Sequence, residues 1–380
     1  MKLIKIAYVI NHLSFFKSHI LPIAKKAKKK GFEIRVFCGI GGSQLMEKEA
    51  LKYIRASGIK FTKYKFQPGM TNIFLEPKYI VNIITDLKKY EPNIVHCISL
   101  KGVLYGSLYS IIYKPKKLIS FITGMGYFFT NKLNAYEKFV RFCLLKVIKF
   151  ALVINNSILV LENKDDFKFF EKKVGFNKKQ ITLVKGAGVD LKKFYYDEKL
   201  KIKSILFPAR VLIEKGIFEY LSAAEALSKK FYNWQFLIAG TLDYKKNKKS
   251  TNPLNFNRFY NNKNIKFLGH RKDMNILFNK CSIVCLPSYR EGFPKSLIEA
   301  SSSGCAIITT NVTGCRDVIK KNFNGLLSKP RNTDDLKNKL EKVISNQSLR
   351  LKFSKNSRQK ALKDFGIDKF INKNLELYKI

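Results

Sequence analysis

Ile283-Val284-Cys285-Leu286-Pro287-Ser288-Tyr289-Arg290-Glu291-Gly292-Phe293-Pro294-Lys295-Ser296-Leu297-Ile298-Glu299-Ala300 reads as a short buried strand, a turn and the start of a helix. The apolar run ends at Leu286 and the proline and serine after it break the strand. Pro294 suits the first helical position, because its missing N–H is one that a helix start leaves unpaired anyway. The backbone amides of Lys295, Ser296 and Leu297 then point out of the helix end. Open amides and the positive end of the helix dipole make a site for an anion such as a diphosphate. Glu291 precedes the helix and Glu299 lies inside it, so the two carboxylates can face different parts of one extended ligand.

The same strand–turn–helix unit recurs on both sides of this stretch. Upstream, β-branched apolar runs fall at Ile4–Ile10, Glu33–Cys38, Lys60–Tyr64, Asn93–Ile98, Leu118–Ile122, Ser157–Leu161 and Ile181–Val184. Amphipathic stretches separate them at Phe16–Lys30, Gln44–Ala56, Pro77–Tyr90, Gly102–Tyr113, Ala135–Phe150 and Asp165–Val174. A second series has strands at Ser204–Pro208, Gln235–Ile238, Ile265–Leu268, Ile283–Leu286 and Ala306–Thr309. Its helices are Lys215–Lys229, Met274–Lys280, Lys295–Gly304, Thr333–Ser345 and Leu349–Phe365, with an Asn/Lys-rich loop over Thr241–Asn264. Alternation of this kind predicts parallel sheets covered by helices on both faces. The pattern lapses over Tyr196–Lys203, which places a linker there. The expectation is an α/β protein of two doubly wound, Rossmann-like domains facing across a cleft: residues 1–195, residues 203–365, and a terminal helix, 366–380, packing back on the first domain. Such sheets take ligand at the carboxyl ends of their strands.

A second cationic turn supports a phosphate-handling site. Phe207-Pro208-Ala209-Arg210-Val211-Leu212-Ile213-Glu214-Lys215-Gly216 again runs from strand to helix, with Arg210 and Lys215 at the entrance. Arginine grips phosphate oxygens bidentately and lysine adds a point charge.

With Glu291, seven residues and Glu299, the chain resembles the family 4 glycosyltransferases of the GT-B fold. The resemblance implies that Glu291 contacts the transferred sugar and that Glu299 accepts hydrogen bonds from the ribose hydroxyls. It also implies that Arg210 and Lys215 neutralise the nucleotide diphosphate as it leaves. Other stretches are similar to enzymes that extend lipid-linked bacterial surface glycans: Phe15–Ala24, Pro92–Cys97 continuing to Lys101-Gly102, Thr123-Gly124-Met125-Gly126-Tyr127, and Val184–Asp190. They make Ser14, His19, His96, Lys101 and Gly124 candidates for the acceptor side. Two departures stand out. Asn11-His12-Leu13-Ser14 replaces the glycine-rich turn of many relatives, and Thr123 stands where some carry histidine. The implied reaction is transfer with retention and without a bound metal or other cofactor. The donor is a nucleotide sugar, UDP-linked by resemblance, the sugar a hexose or N-acetylhexosamine, and the acceptor a lipid-linked saccharide.

Composition bounds the rest. At 380 residues, with 46% hydrophobic content, two cores can be filled. Lysine and arginine number 72 against 28 aspartate and glutamate, a net +44. That excess predicts attraction to a polyanion, and an anionic membrane surface is the expected one. The helix Ala135–Phe150, which mixes cations with phenylalanines, is the kind of element that lies on anionic lipid. Nucleic acid is not an expected partner, because the basic residues are dispersed and no recognition module is apparent. A nucleic-acid-binding protein and a nucleotide-sugar epimerase on the same scaffold are the alternative readings. Seven cysteines without short paired spacing argue against a metal site or disulfide framework. The first apolar run is short and contains Lys5, so it reads as a strand rather than a signal peptide. Phe142–Ile154 is interrupted by Lys146 and Lys149, short of the roughly 20 apolar residues a membrane span needs. The expected location is therefore cytoplasmic, peripheral on the inner face of the membrane.

Overall fold

The computed structural model describes residues 3–41, 44–66, 76–125, 133–155, 157–241 and 256–380. They form two compact units, Met1–Ala187 with Phe370–Ile380, and Gly188–Lys369. Most of the expected Asn/Lys-rich loop (242–255) and the Gly126-Tyr127 pair lie outside the described residues.

The first unit is built on β1 (Lys5–Ile10), β2 (Glu33–Cys38), β3 (Lys60–Lys63), β4 (Ile94–Ile98), β5 (Lys117–Ile122), β6 (Ser157–Leu161) and β7 (Ile181–Leu183). They pair in the order β3-β2-β1-β4-β5-β6-β7, all parallel. Strand periodicity sorts the side chains. Ile6, Tyr8 and Ile10 enter one apolar cluster while Ala7 and Val9 enter another, because successive residues point to opposite faces. Burial on both faces accounts for the near-continuous apolar runs in the sequence.

The second unit carries β8 (Ile202–Phe207), β9 (Gln235–Ala239), β10 (Ile265–Gly269), β11 (Cys281–Leu286), β12 (Ala306–Thr310) and β13 (Gly325–Ser328). Their order is β10-β9-β8-β11-β12-β13, again all parallel. Ile205 and Phe207 face one core and Leu206 the other.

The structure corrects several details. The expected linker, Tyr196–Lys203, lies inside the second unit, which begins at Gly188. Lys201 holds it there, its Nζ donating to the carbonyls of Phe278 (3.0 Å), Cys281 (2.8 Å) and Ser303 (2.7 Å). The segment before it is tied to the same unit by backbone bonds, Val189 N–H donating to Phe365 O (2.8 Å) and Ile367 N–H to Val189 O (3.0 Å). Arg358 adds bonds to the carbonyls of Leu191 and Phe194. The helix expected over Phe16–Lys30 starts earlier, at Leu13, and passes through a π-helical turn at Phe16–Ile20. Strand β13 and the short helices Asn257–Tyr260 and Cys315–Val318 are additional. The last helix is Ile367–Glu376, and Tyr378 beyond it is 2% exposed in the first unit's core.

Candidate active site

β8 and β11 are neighbours at the centre of the second sheet, where the strand order turns. Loops that leave the carboxyl ends of such a pair diverge and open a crevice between them. The Arg210/Lys215 turn follows β8 and the Glu291 turn follows β11, so motifs about 80 residues apart in the chain converge there.

Four backbone features fix the convergence. Tyr289 N–H donates to Glu214 O at 2.9 Å, and Glu291 N–H to Thr313 O at 3.2 Å. Gly216, at φ +74°, packs so closely on Pro287 that a Cβ would strike its carbonyl oxygen. Gly314, at φ +79°, stands in the same relation to the carbonyls of Glu291 and Gly292. Only glycine meets both demands, a left-handed backbone and no side chain.

The side chains complete the site. Lys215 Nζ lies 2.5 Å from Glu291 Oε1, and the fully buried Ser288 donates its hydroxyl to the same oxygen at 2.7 Å. Arg210 is exposed, in the turn after β8 that leads to Lys215. Glu299 is 16% exposed, with Lys295 Nζ at 3.8 Å. Burial raises its pKa above the usual carboxylate range, while Lys295 and Lys193 pull the other way. Burial pushes the Cys315 thiol up to about 12, helped by the Glu291 charge, so this cysteine remains a neutral thiol at physiological pH.

The helix start departs from expectation in one respect. Pro294 has an extended ψ of 111° and serves as the N-cap, and the helix is Lys295–Ser302. The carbonyl of Pro294 takes the amide of Leu297 at 3.0 Å. The Leu297 N–H is therefore already used and the residue is buried, which leaves Lys295 and Ser296 as the outward part of the turn.

The acceptor-side candidates all belong to the first unit. Ser14 is 7% exposed, its N–H donates to Glu47 Oε1 at 2.9 Å, and its hydroxyl meets His12 Nδ1 at 2.8 Å. His19 is half-buried and stacks on Phe15 at 3.9 Å. His96 is fully buried on β4, its Nδ1 2.8 Å from the Tyr378 hydroxyl. Burial lowers its pKa to about 3, so it stays neutral. Lys101 is also buried, 2.6 Å from Glu76, whose other oxygen accepts from Tyr105 at 2.5 Å. Gly124 has φ +146° just beyond β5. Sequence reasoning missed Ser288 and the two glycines, Gly216 and Gly314. A glycine just after a strand–turn was the available signal for the latter two.

Two doubly wound parallel-sheet units of this kind, the second carrying a cationic crevice, are the GT-B class of glycosyltransferase fold. Comparison with known proteins agrees. The family model described as glycosyl transferase 4-like matches residues 5–157, and that of glycosyl transferases group 1 matches residues 190–360. The N,N'-diacetylbacillosaminyl-diphospho-undecaprenol alpha-1,3-N-acetylgalactosaminyltransferase of Campylobacter jejuni is 27% identical over 90% of each chain. The Escherichia coli UDP-Gal:alpha-D-GlcNAc-diphosphoundecaprenol alpha-1,3-galactosyltransferase is 25% identical over 81% of this chain and 80% of that one. Among solved structures, Anabaena HepE in complex with UDP superposes with a TM-score of 0.77 at 15% identity, covering 98% of this chain and 99% of that one. Sucrose-phosphate synthase from Thermosynechococcus elongatus does so with 0.79 at 15% identity, over 99% and 98%. The chain belongs to the family 4 glycosyltransferases.

Proposed function

We propose that the enzyme moves a hexose or N-acetylhexosamine from a UDP-sugar to a lipid-linked saccharide, with retention of configuration and without a metal ion. The observation that carries this reading is the joining of Lys215 to Glu291, 2.5 Å apart across the β8/β11 crevice. It brings the cation suited to the diphosphate and the carboxylate suited to the sugar into one constellation. Two relatives similar over most of the chain are named for diphospho-undecaprenol acceptors, and one of them for UDP-galactose.

The chemistry follows from charge. As the glycosidic bond to the diphosphate breaks, negative charge builds on the leaving oxygens. Arg210, Lys215 and the outward amides of the helix start stabilise it where it forms. In a front-face displacement the departing diphosphate takes the acceptor hydroxyl's proton, and the donor sugar keeps its anomeric configuration. Glu291, fixed by Lys215 and Ser288, orients the sugar and balances positive charge at its ring. Glu299 accepts from the ribose hydroxyls. The lipid of the acceptor sets the place of work at the cytoplasmic face of a membrane.

A donor screen with a lipid-diphosphate sugar acceptor, followed by linkage analysis of the product, tests this reading. Nucleoside diphosphate released only when acceptor is present, with an α-linked product, is the expected result. Acceptor-independent conversion of the sugar nucleotide would instead indicate an epimerase.

A further inference from the structure

The helix Ala135–Ile154 is apolar on two opposite faces. Leu144, Ile148, Ala151 and Leu152 are buried in the first unit. Away from them, Tyr136, Phe139, Phe142, Phe150 and Val153 are 56, 64, 57, 55 and 66% exposed. At about 3.6 residues per turn these five side chains fall within roughly one third of the helix circumference. A helix packed on a sheet ordinarily turns a polar face outward, and this one turns out aromatic rings.

Cations are threaded through the same face. Lys146 is exposed with its Nζ 5.3 Å from the Phe142 ring centroid, and Lys138 is exposed at the margin of the stripe. The single acid of the helix, Glu137, is engaged in the capping box with Asn134. Lys149 is turned away, donating to Val174 O at 3.2 Å. A protein partner is a poor match, since the centres of protein interfaces are enriched in aromatics but depleted of lysine. A charged lipid surface satisfies both parts, with rings entering the headgroup boundary and lysines meeting phosphates.

We propose that this outer face docks the enzyme on an anionic phospholipid bilayer. The inference deepens the proposed function, resting on it for the purpose of docking: the helix is the crossover from β5 to β6, so it starts at the carboxyl edge of the first sheet, the edge at which doubly wound sheets take ligand. A membrane-held acceptor would thus be presented on the correct side.

The test is flotation of the full chain with vesicles of phosphatidylcholine alone or with added phosphatidylglycerol. It uses wild type, Phe139→Ser/Phe142→Ser and Lys138→Glu/Lys146→Glu, all substitutions of exposed side chains. Binding should require phosphatidylglycerol, weaken with salt, and fall about tenfold or more in either variant. Transfer to a short, water-soluble acceptor should stay unchanged in both. Equal binding to vesicles without anionic lipid, or undiminished binding by both variants, overturns the proposal. So does a dimer in the wild type that the phenylalanine variant dissolves, since the occupant would then be a second copy. Intact docking without transfer to either acceptor would overturn the catalytic reading alone.

Discussion

Glu291 shows how neighbours make one carboxylate useful. Its Oε1 accepts from both Lys215 and Ser288, so the group enters the crevice oriented and charge-balanced. Replacing it by glutamine removes the charge and leaves Lys215 without its carboxylate. The expected outcome for Glu291→Gln is a fall in turnover of two or more orders of magnitude with a smaller change in donor KM, measured as nucleoside diphosphate release. Arg210→Ala should cost about 3 kcal/mol of transition-state stabilisation, read as a loss of roughly a hundredfold in kcat/KM. Ser288→Ala removes one bond but not the charge, and about tenfold is expected. The residue types of Arg210, Lys215, Glu291 and Glu299 were legible in sequence because their chemistry and spacing are. That Lys215 and Glu291 would touch was not, because 76 residues separate them and only the adjacency of β8 and β11 joins them. His96 and Lys101 carried the same kind of sequence signal and turned out buried, His96 on Tyr378 and Lys101 on Glu76. A titratable residue in an apolar strand or helix reads alike whether it faces solvent or core.

At the scale of elements, the strands β2 and β6 and the helices Gln44–Ala56, Met274–Lys280 and Thr333–Ser345 have the limits that their apolar periodicity predicts. The π-helical turn at Phe16–Ile20 and the four-residue strand β13 were not legible, since the first is a local widening and the second is too short to show a period. Two predictions belong here. Gly314→Ala would need φ +79° with a Cβ against the carbonyls of Glu291 and Gly292. It should destabilise the second unit by about 2 kcal/mol and depress activity further than that loss explains, by displacing the Glu291 turn. In the first unit, His96 stays neutral to about pH 3, against an ordinary value of 6.5. Below pH 6.5 the unfolded chain gains a proton that the native state refuses, so stability is full above that pH and falls as pH drops. About 2 kcal/mol should be lost between pH 7 and pH 5, and His96→Gln should flatten that part of the profile in denaturant titrations.

For the whole molecule, parallel-sheet architecture and two units were readable from strand–helix alternation, whereas the place where one unit yields to the other was not. The polar stretch 196–203 reads as a linker, but Lys201 Nζ on the Phe278, Cys281 and Ser303 carbonyls ties it into the second unit, and its last two residues already belong to β8. Among the described residues no helix is long and apolar enough to cross a membrane. The second unit's crevice carries the central claim, which is that Arg210, Lys215 and the helix start at Lys295 together hold a nucleotide's diphosphate. Calorimetric titration of the full chain with UDP, in the presence of a chelator, tests it most directly. The account predicts saturable binding that weakens by tenfold or more in Arg210→Ala and again in Lys215→Ala. Binding of UDP that is unchanged in both variants would contradict it.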